Sequence, residues 1–119
     1  MGEVERITGH THMVCLIGSP VAHSGSPATH NLSFETLGID TAYLVFDVQP
    51  EDLDHVMPAF KAMGGLDGCN VTMPCKTAIA QYLDELSPAA KLIGAVNTVV
   101  VKDGKLIGNN TDGVGFVHN

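Results

Sequence analysis

The feature that most constrains this chain is the alternation of apolar runs with segments that carry a helical hydrophobic spacing. Residues 13–18 form a continuous apolar run, which is typical of a strand covered on both faces. Residues 41–48 and 66–72 are two further strand-like runs, and a segment with helical character follows each of the three. This alternation predicts a largely parallel sheet, because parallel neighbours need a crossover connection between them.

The remaining segments complete the predicted fold. Residues 97–101 and 106–109 predict two strands joined by a turn at 102–105, which together form an antiparallel hairpin. We therefore expect an α/β domain of three layers, in which helices cover both faces of a mostly parallel sheet containing one antiparallel hairpin. Pro58 is expected to kink the second helix or end it early. Helices are predicted at residues 28–37, 50–64, 77–83 and 87–94.

Length and charge exclude several classes of protein. The 119 residues suit one domain, and we expect it to span residues 13–119 after an N-terminal extension at 1–12. Six Lys or Arg oppose thirteen Asp or Glu, a balance that argues against the basic face needed to bind nucleic acid, and we expect no nucleic-acid partner. The chain has no apolar run of ~20 residues and no N-terminal signal pattern, so we expect a cytoplasmic protein without membrane association.

The cysteines and histidines do not predict a metal site. Cys15, Cys69 and Cys75 are odd in number, lie in or beside apolar runs and show no C-x-x-C spacing. Reduced thiols in the core are therefore expected. His10 and His12 would share one face of a strand, but no Cys or carboxylate ligand is obvious nearby, and we expect no metal there.

Lys76 is the lysine whose position is most informative. It follows the predicted strand at residues 66–72, and Pro74 separates the two by stopping the strand and allowing a helix to begin. The amine is therefore expected at a strand-to-helix junction, at the edge of the sheet where α/β proteins bind ligands. A solvated lysine at the start of a helix explains the same position equally well.

Polar side chains also stand at or just past other predicted strand ends. These are Ser24, Thr72, Asn97 and Asp112, which a parallel sheet would gather with Lys76 along one edge. Each has a structural alternative, such as a turn for Asn97 or a helix N-cap for Asp112. Together they predict a pocket with one cation and one anion, suited to a small polyhydroxylated acid. A lysine and an aspartate in one pocket can relay a proton to or from a substrate oxygen.

The loop before the first predicted helix is a candidate site for the carboxylate of such an acid. Ser24 and Ser26 flank Gly25 next to the start of the helix, where hydroxyl donors and the positive end of the helix dipole favour an anion. Ser26 also suits a purely structural N-cap, with Pro27 at the first helical position. A nucleotide site is not expected, because the third glycine of a dinucleotide fingerprint that begins at Gly113 would fall at His118.

Four motifs stand in order along the chain: IGSPVAHSGSP at 17–27, NVTMPCK at 70–76, GAVNT at 94–98 and NTDGVG at 110–115. Together and in this order they resemble the shikimate/quinate dehydrogenase family. The resemblance implies reversible, NADP(H)- or NAD(H)-dependent reduction of 3-dehydroshikimate to shikimate, with hydride moving at C3. It implies that Lys76 and Asp112 are the catalytic pair and that Lys76 gives or takes the hydroxyl proton.

The resemblance also implies the residues that bind the substrate. Ser24 and Ser26 would hold the carboxylate, and Thr72, Asn97 and Asp112, with Lys76, would hold the ring hydroxyls. Two positions depart from the family pattern and are expected to affect the choice between shikimate and quinate: Gly25, where a larger side chain is more frequent, and Cys75, where a bulkier or polar residue is usual.

The resemblance implies that this chain is the N-terminal, substrate-binding part of such an enzyme. The nucleotide would be bound by a C-terminal domain that this chain lacks, so the chain alone is expected to be inactive, and the oligomeric state stays open. One alternative is a quinate- or shikimate-binding module without chemistry, or the domain of a quinate dehydrogenase. A folate-linked dehydrogenase is a third reading, disfavoured because the chain has few aromatic residues to stack on a pterin.

Overall fold

The computed structural model describes residues 7–20 and 26–111 of the chain. These residues form six strands, four α-helices and two 3-10 turns, the latter at Pro50–Asp52 and Ile79–Tyr82. None of the helices in the described ranges is long and apolar enough to cross a membrane. The strands are β1 (His12–Gly18), β2 (Thr41–Asp47), β3 (Leu66–Val71), β4 (Glu85–Leu86), β5 (Thr98–Lys102) and β6 (Lys105–Asn109), and the helices are α1 (Ser26–Leu37), α2 (Leu53–Ala62), α3 (Cys75–Ala78) and α4 (Pro88–Ile93).

The six strands form one sheet in the order β2-β1-β3-β5-β6-β4. Strand β1 pairs in parallel with both β2 and β3, and β5 and β6 form the predicted hairpin. Strand β5 is also antiparallel to β3, which places the beginning of β5 beside the end of β3. The expected mixed sheet with a C-terminal hairpin is therefore confirmed. Strand β4 was not predicted, because it has only two residues and depends on pairing with β6.

Helices pack on both faces of the sheet, which gives the expected three layers. On one face, Cys15 and Ile17 of β1 join Leu53 and Met57 of α2 in a buried core that also takes side chains from α3, α4, β3, β5 and β6. On the other face, the ring of His30 from α1 stacks on the ring of Tyr43 from β2. Alternate residues of a strand point to opposite faces, so each strand serves both layers.

The three cysteines belong to this core. All are buried and free, which confirms the prediction of reduced core thiols. A hydrogen bond with Cys15, together with burial, raises the pKa of the Cys69 thiol well above its usual range. Burial also raises the pKa of Cys75, whose Sγ donates to the carbonyl oxygen of Val48 at 3.3 Å. The thiols of Cys69 and Cys75 are therefore held in the neutral form, which is a poor nucleophile.

Two helices differ from their predicted limits. Helix α2 continues through Pro58 to Ala62, so an early end at Pro58 is wrong. Pro58 is exposed, and the buried Met57 and Phe60 beside it hold that part of the helix against the core. The next helix begins at Cys75, two residues earlier than expected, and gives way to a 3-10 turn after Ala78. Lys76 therefore lies inside the first turn of α3.

Asp84 connects α2 with the C-terminal hairpin. Its carboxylate accepts the N–H of Leu106 at 2.8 Å and lies 3.0 Å from the Nζ of Lys61. The Leu106 N–H and, next, the Lys61 ammonium lower the pKa of this carboxyl below its ordinary value of 3.8. The ionised form is thus the one that the folded protein favours.

Replacement of Asp84 by asparagine is expected to lower the thermal unfolding midpoint at neutral pH. A lowered pKa in the folded state stabilises the fold above pH 3.8, and this contribution is lost as the pH falls through the folded pKa. The difference between the wild type and Asp84→Asn should therefore shrink in acid, as followed by circular dichroism from pH 7 downwards. Asp52→Asn is the control, because Asp52 is exposed and its side chain caps no helix. A difference in unfolding midpoint between the wild type and Asp84→Asn that stays the same at all pH values would contradict this prediction.

Candidate active site

The ends of three parallel strands and the start of the antiparallel strand meet along one edge of the sheet. The N–H of Thr72, just past β3, donates to the carbonyl oxygen of Ile17 in β1 at 2.9 Å. Asn97, just before β5, accepts the N–H of Val71 at 2.8 Å and donates its own N–H to the carbonyl oxygen of Asn109 at 3.0 Å. The structure thus brings Thr72 and Asn97 together at the carboxyl edge. Strand β6 ends at the same edge, with Asn109 beside Asn97.

Lys76 is anchored at this edge by its own backbone. It is half-buried in the first turn of α3, and its carbonyl oxygen accepts the N–H of Val96 at 2.8 Å. The carbonyl oxygen of Thr72 accepts the N–H of Cys75 at 3.0 Å, which closes the turn between the strand and the helix. The lysine therefore stands on a backbone fixed from both sides, and the junction predicted from the sequence is present.

Gly18 at the end of β1 packs directly against this turn between β3 and α3. It adopts a φ of +154°, and a Cβ placed there would lie 2.3 Å from Cγ2 of Thr72 and 2.9 Å from the carbonyl oxygen of Met73. The N–H of Ser19 also donates to that carbonyl oxygen, at 3.1 Å. A side chain at position 18 cannot be accommodated while Thr72 stays where it is. The sequence pattern predicted only that a strand ends at Gly18, and the close contact with Thr72 was missed.

Asn97 holds the chain immediately before Asp112. Its Oδ1 accepts the N–H of Thr111 at 3.1 Å and the hydroxyl of Thr98 at 3.0 Å. Its Nδ2 donates to Oγ1 of Thr111 at 2.9 Å. The two contacts with Thr111 close a clamp across 14 residues of sequence. Thr111 was missed by sequence reasoning, because nothing in its local sequence shows that it faces Asn97.

The segment that precedes Thr111 is fixed in the same way. Asn110 is buried, and its Nδ2 donates to the carbonyl oxygen of Ala95 at 3.1 Å. Oδ1 of Asn109 accepts the N–H of Asn110 at 2.8 Å and the hydroxyl of Ser87 at 2.7 Å. The sequence Asn-Asn-Thr thus replaces strand pairing with side-chain contacts at the point where β6 ends.

The other predicted site residues lie partly outside the described residues. Ser24 and Asp112 fall there, and so does the side chain of Ser26, although its backbone begins α1. Cys75, one of the two departures from the family pattern, is completely buried in the core and does not line the edge. The other departure, Gly25, is also outside the described residues.

Two kinds of site were sought among the described residues: a metal-binding cluster and the glycine fingerprint of a dinucleotide-binding turn. Within residues 7–20 and 26–111, no group of three His, Cys, Asp or Glu side chains could hold a metal ion. Nδ1 of His12 instead lies 2.9 Å from Oδ1 of Asp67, where β1 and β3 begin. The chain contains no complete G-x-G-x-x-G run, which is the glycine fingerprint of the strand-to-helix turn that binds a dinucleotide.

A family model for the shikimate dehydrogenase substrate binding domain matches residues 16–99, which is more than half of the chain. The NADP(+) shikimate dehydrogenase of Listeria monocytogenes serotype 4b (strain F2365) is 55% identical over 113 residues, covering 95% of this chain and 38% of the relative. The corresponding enzyme of Streptococcus uberis is 54% identical over 115 residues, covering 95% of this chain and 39% of the relative.

A solved structure agrees with this match. The crystal structure of shikimate 5-dehydrogenase from Listeria monocytogenes, in complex with shikimate and NAD, superposes with a TM-score of 0.91 and 52% sequence identity. The superposition covers 99% of this chain and 40% of that one. The chain therefore spans about two fifths of the length of the relatives it matches.

Proposed function

The chain belongs to the shikimate dehydrogenase family through its substrate-binding domain, and on this premise we propose that residues 13–119 bind the substrate and supply the catalytic side chains of a shikimate dehydrogenase. The reaction is the reversible, NADP(H)-dependent reduction of 3-dehydroshikimate to shikimate. The observation that carries the proposal is the anchored Lys76 beside Thr72 and Asn97 at the carboxyl edge of the sheet. Residues 1–12 are an extension in this proposal.

Substrate binding is divided between the two sides of this edge. Ser24 and Ser26 hold the carboxylate, and the start of α1 at Ser26 supports this role because a helix N-terminus favours an anion. Thr72 and Asn97 hold ring hydroxyls together with Asp112. Thr72 suits the role because its backbone is bonded at both its N–H and its carbonyl oxygen, so its hydroxyl starts from a fixed position.

Proton transfer is the chemical contribution of this chain. Lys76 donates a proton to the C3 oxygen of 3-dehydroshikimate on reduction and takes it back from the C3 hydroxyl of shikimate on oxidation. Asp112 binds the same C3 hydroxyl and orients the Lys76 amine towards it. The clamp between Asn97 and Thr111 supports this assignment, since it fixes the residue that directly precedes Asp112.

The described residues do not fit a nicotinamide nucleotide, because they lack a glycine-rich phosphate-binding turn. We assign NADP(H) or NAD(H) to a nucleotide-binding domain outside these residues, and we restrict the residues of this chain to the substrate. The cytoplasm is the proposed compartment, which agrees with three buried thiols that remain unpaired.

The test is an assay of the full-length protein with NADP+ and either shikimate or quinate. Reduction of NADP+ that depends on shikimate is expected, and the 119-residue chain alone should give none. Turnover of quinate but not shikimate would change the substrate assignment. No turnover of either compound, together with tight binding of shikimate in calorimetry, would favour the alternative of a binding module without chemistry.

A further inference from the structure

Gln49 lies just past the end of β2, on the same carboxyl edge of the sheet as the proposed active site. The N–H of Val48 donates to the carbonyl oxygen of Gly18 at 2.9 Å, so the segment that follows β2 lies beside the end of β1. Next to this contact, Nε2 of Gln49 donates to Oγ of Ser19 at 2.9 Å. The two residues are 30 positions apart in sequence, and their contact joins the exits of two neighbouring strands.

A capping role does not explain the Gln49 side chain. Gln49 is the N-cap of the 3-10 turn at Pro50–Asp52, but its side chain makes no capping hydrogen bond. Glu51 and Asp52 in that turn accept hydrogen bonds but donate none when ionised, so a carboxylate could not replace the amide as the donor to Ser19. Among residues 7–20 and 26–111, the contact with Ser19 is the only hydrogen bond of this side chain.

Ser19 is held from a second side by its backbone. Its N–H donates to the carbonyl oxygen of Met73 at 3.1 Å, in the turn between β3 and α3 that leads to Lys76. A segment held by one hydrogen bond can still rotate about it, whereas a second contact through Oγ also sets its direction. Gln49 and the turn at Met73 therefore fix both the position and the orientation of Ser19.

The loop that carries Ser24 and Ser26 begins at Ser19. Ser24 follows five positions later in the sequence, and α1 begins at Ser26. A group on a loop is placed accurately only if the contacts that support the loop are themselves fixed. The hydrogen bond from Gln49 supports one end of this loop, next to the turn that leads to Lys76.

We propose that Gln49 is a positioning residue for the shikimate site, which acts through Ser19 on the loop that holds the substrate carboxylate. This inference rests on the proposed function and extends the site to the exit of β2. The role needs no contact between Gln49 and the substrate, since the hydrogen bond to Ser19 transmits it. The effect falls on substrate binding and not on proton transfer, because the backbone bonds that anchor Lys76 do not involve Gln49.

The test compares Gln49→Met with the wild type in the full-length enzyme, because methionine keeps the length of the side chain and removes the amide donor. Loss of one exposed hydrogen bond is expected to raise KM for shikimate about two- to fivefold and to change kcat less than about 1.5-fold. Gln81→Met is the matched control. Gln81 is also exposed, and its Nε2 donates at 3.3 Å to the carbonyl oxygen of Ala78 in its own turn, so KM should stay at the wild-type value.

Two double-mutant comparisons separate positioning from stability. If Gln49 acts through Ser19, Gln49→Met should raise KM no further in the Ser19→Ala background. If it acts on the carboxylate loop, its effect on KM should also shrink in the Ser24→Ala background. An unchanged KM in Gln49→Met, even with a lower unfolding midpoint, would overturn the proposal, and so would an undiminished rise in KM in either background.

The wild-type enzyme in the same assay separates this proposal from the proposed function. If the wild type turns over shikimate, the proposed function stands even where the result for Gln49→Met overturns the positioning role. An inactive wild type would overturn both.

Discussion

Replacement of Lys76 by alanine in the full-length protein is expected to lower kcat for shikimate oxidation about 10³-fold, the size of a lost general acid–base group. KM for shikimate should change less than about threefold, because Thr72, Asn97 and the loop that contains Ser24 and Ser26 still hold the substrate. The backbone bonds of the junction do not involve the lysine side chain, so the fold should survive. Steady-state kinetics with NADP+ in excess measure both constants.

Lys91→Ala is the matched control for this prediction. Lys91 is exposed on α4, and its removal should leave both kcat and KM at their wild-type values. A large rise in KM for Lys76→Ala with kcat unchanged would show that the lysine binds the substrate without transferring a proton.

Replacement of Gly18 by alanine is expected to destabilise the protein by roughly 2–4 kcal/mol, from overpacking and backbone strain together. The new Cβ would overlap Cγ2 of Thr72 and the carbonyl oxygen of Met73, at 2.3 and 2.9 Å. Relief of this overlap must move the turn that carries Lys76, so kcat/KM should also fall. The unfolding midpoint and the kinetic constants are measured on the same preparation.

Gly64→Ala provides the comparison for Gly18→Ala. A Cβ at Gly64 would meet no atom within 4 Å, and the change should leave the unfolding midpoint and kcat/KM nearly unchanged. Equal behaviour of the two variants would show that the close contact between β1 and Thr72 is not required.

Local patterns were sufficient to predict the architecture and the junction at Lys76. Apolar runs fixed the strands, and Pro74 marked the point where the strand to Lys76 stops. The edge follows from topology: the parallel strands β1 and β3 end together, and β5 runs antiparallel to β3, so Asn97 at its start lies at the same edge. The three-layer domain could therefore be predicted without knowledge of side-chain contacts.

The contacts that refine the site could not be read from the sequence, because they join positions far apart in it. The hydroxyl of Tyr43 in β2 donates to Oδ1 of Asn70 in β3 across the intervening strand, and Thr111 contacts Asn97 because the hairpin returns the chain to this edge. The close approach of Gly18 to Thr72 likewise depends on how β1 and β3 pair. Pro58 failed as a helix stop for a related reason, since packing of neighbouring residues against the core outweighs the lost hydrogen bond.

A crystal structure of the full-length protein with shikimate bound tests the central claim most directly. We expect the ring between Thr72 and Asn97, with Nζ of Lys76 at a hydrogen-bonding distance, roughly 2.7–3.2 Å, from the C3 oxygen. The carboxylate should lie at the loop that contains Ser24 and Ser26. Shikimate bound elsewhere, or with its C3 oxygen beyond the reach of Lys76, would contradict the assignment of this edge as the active site.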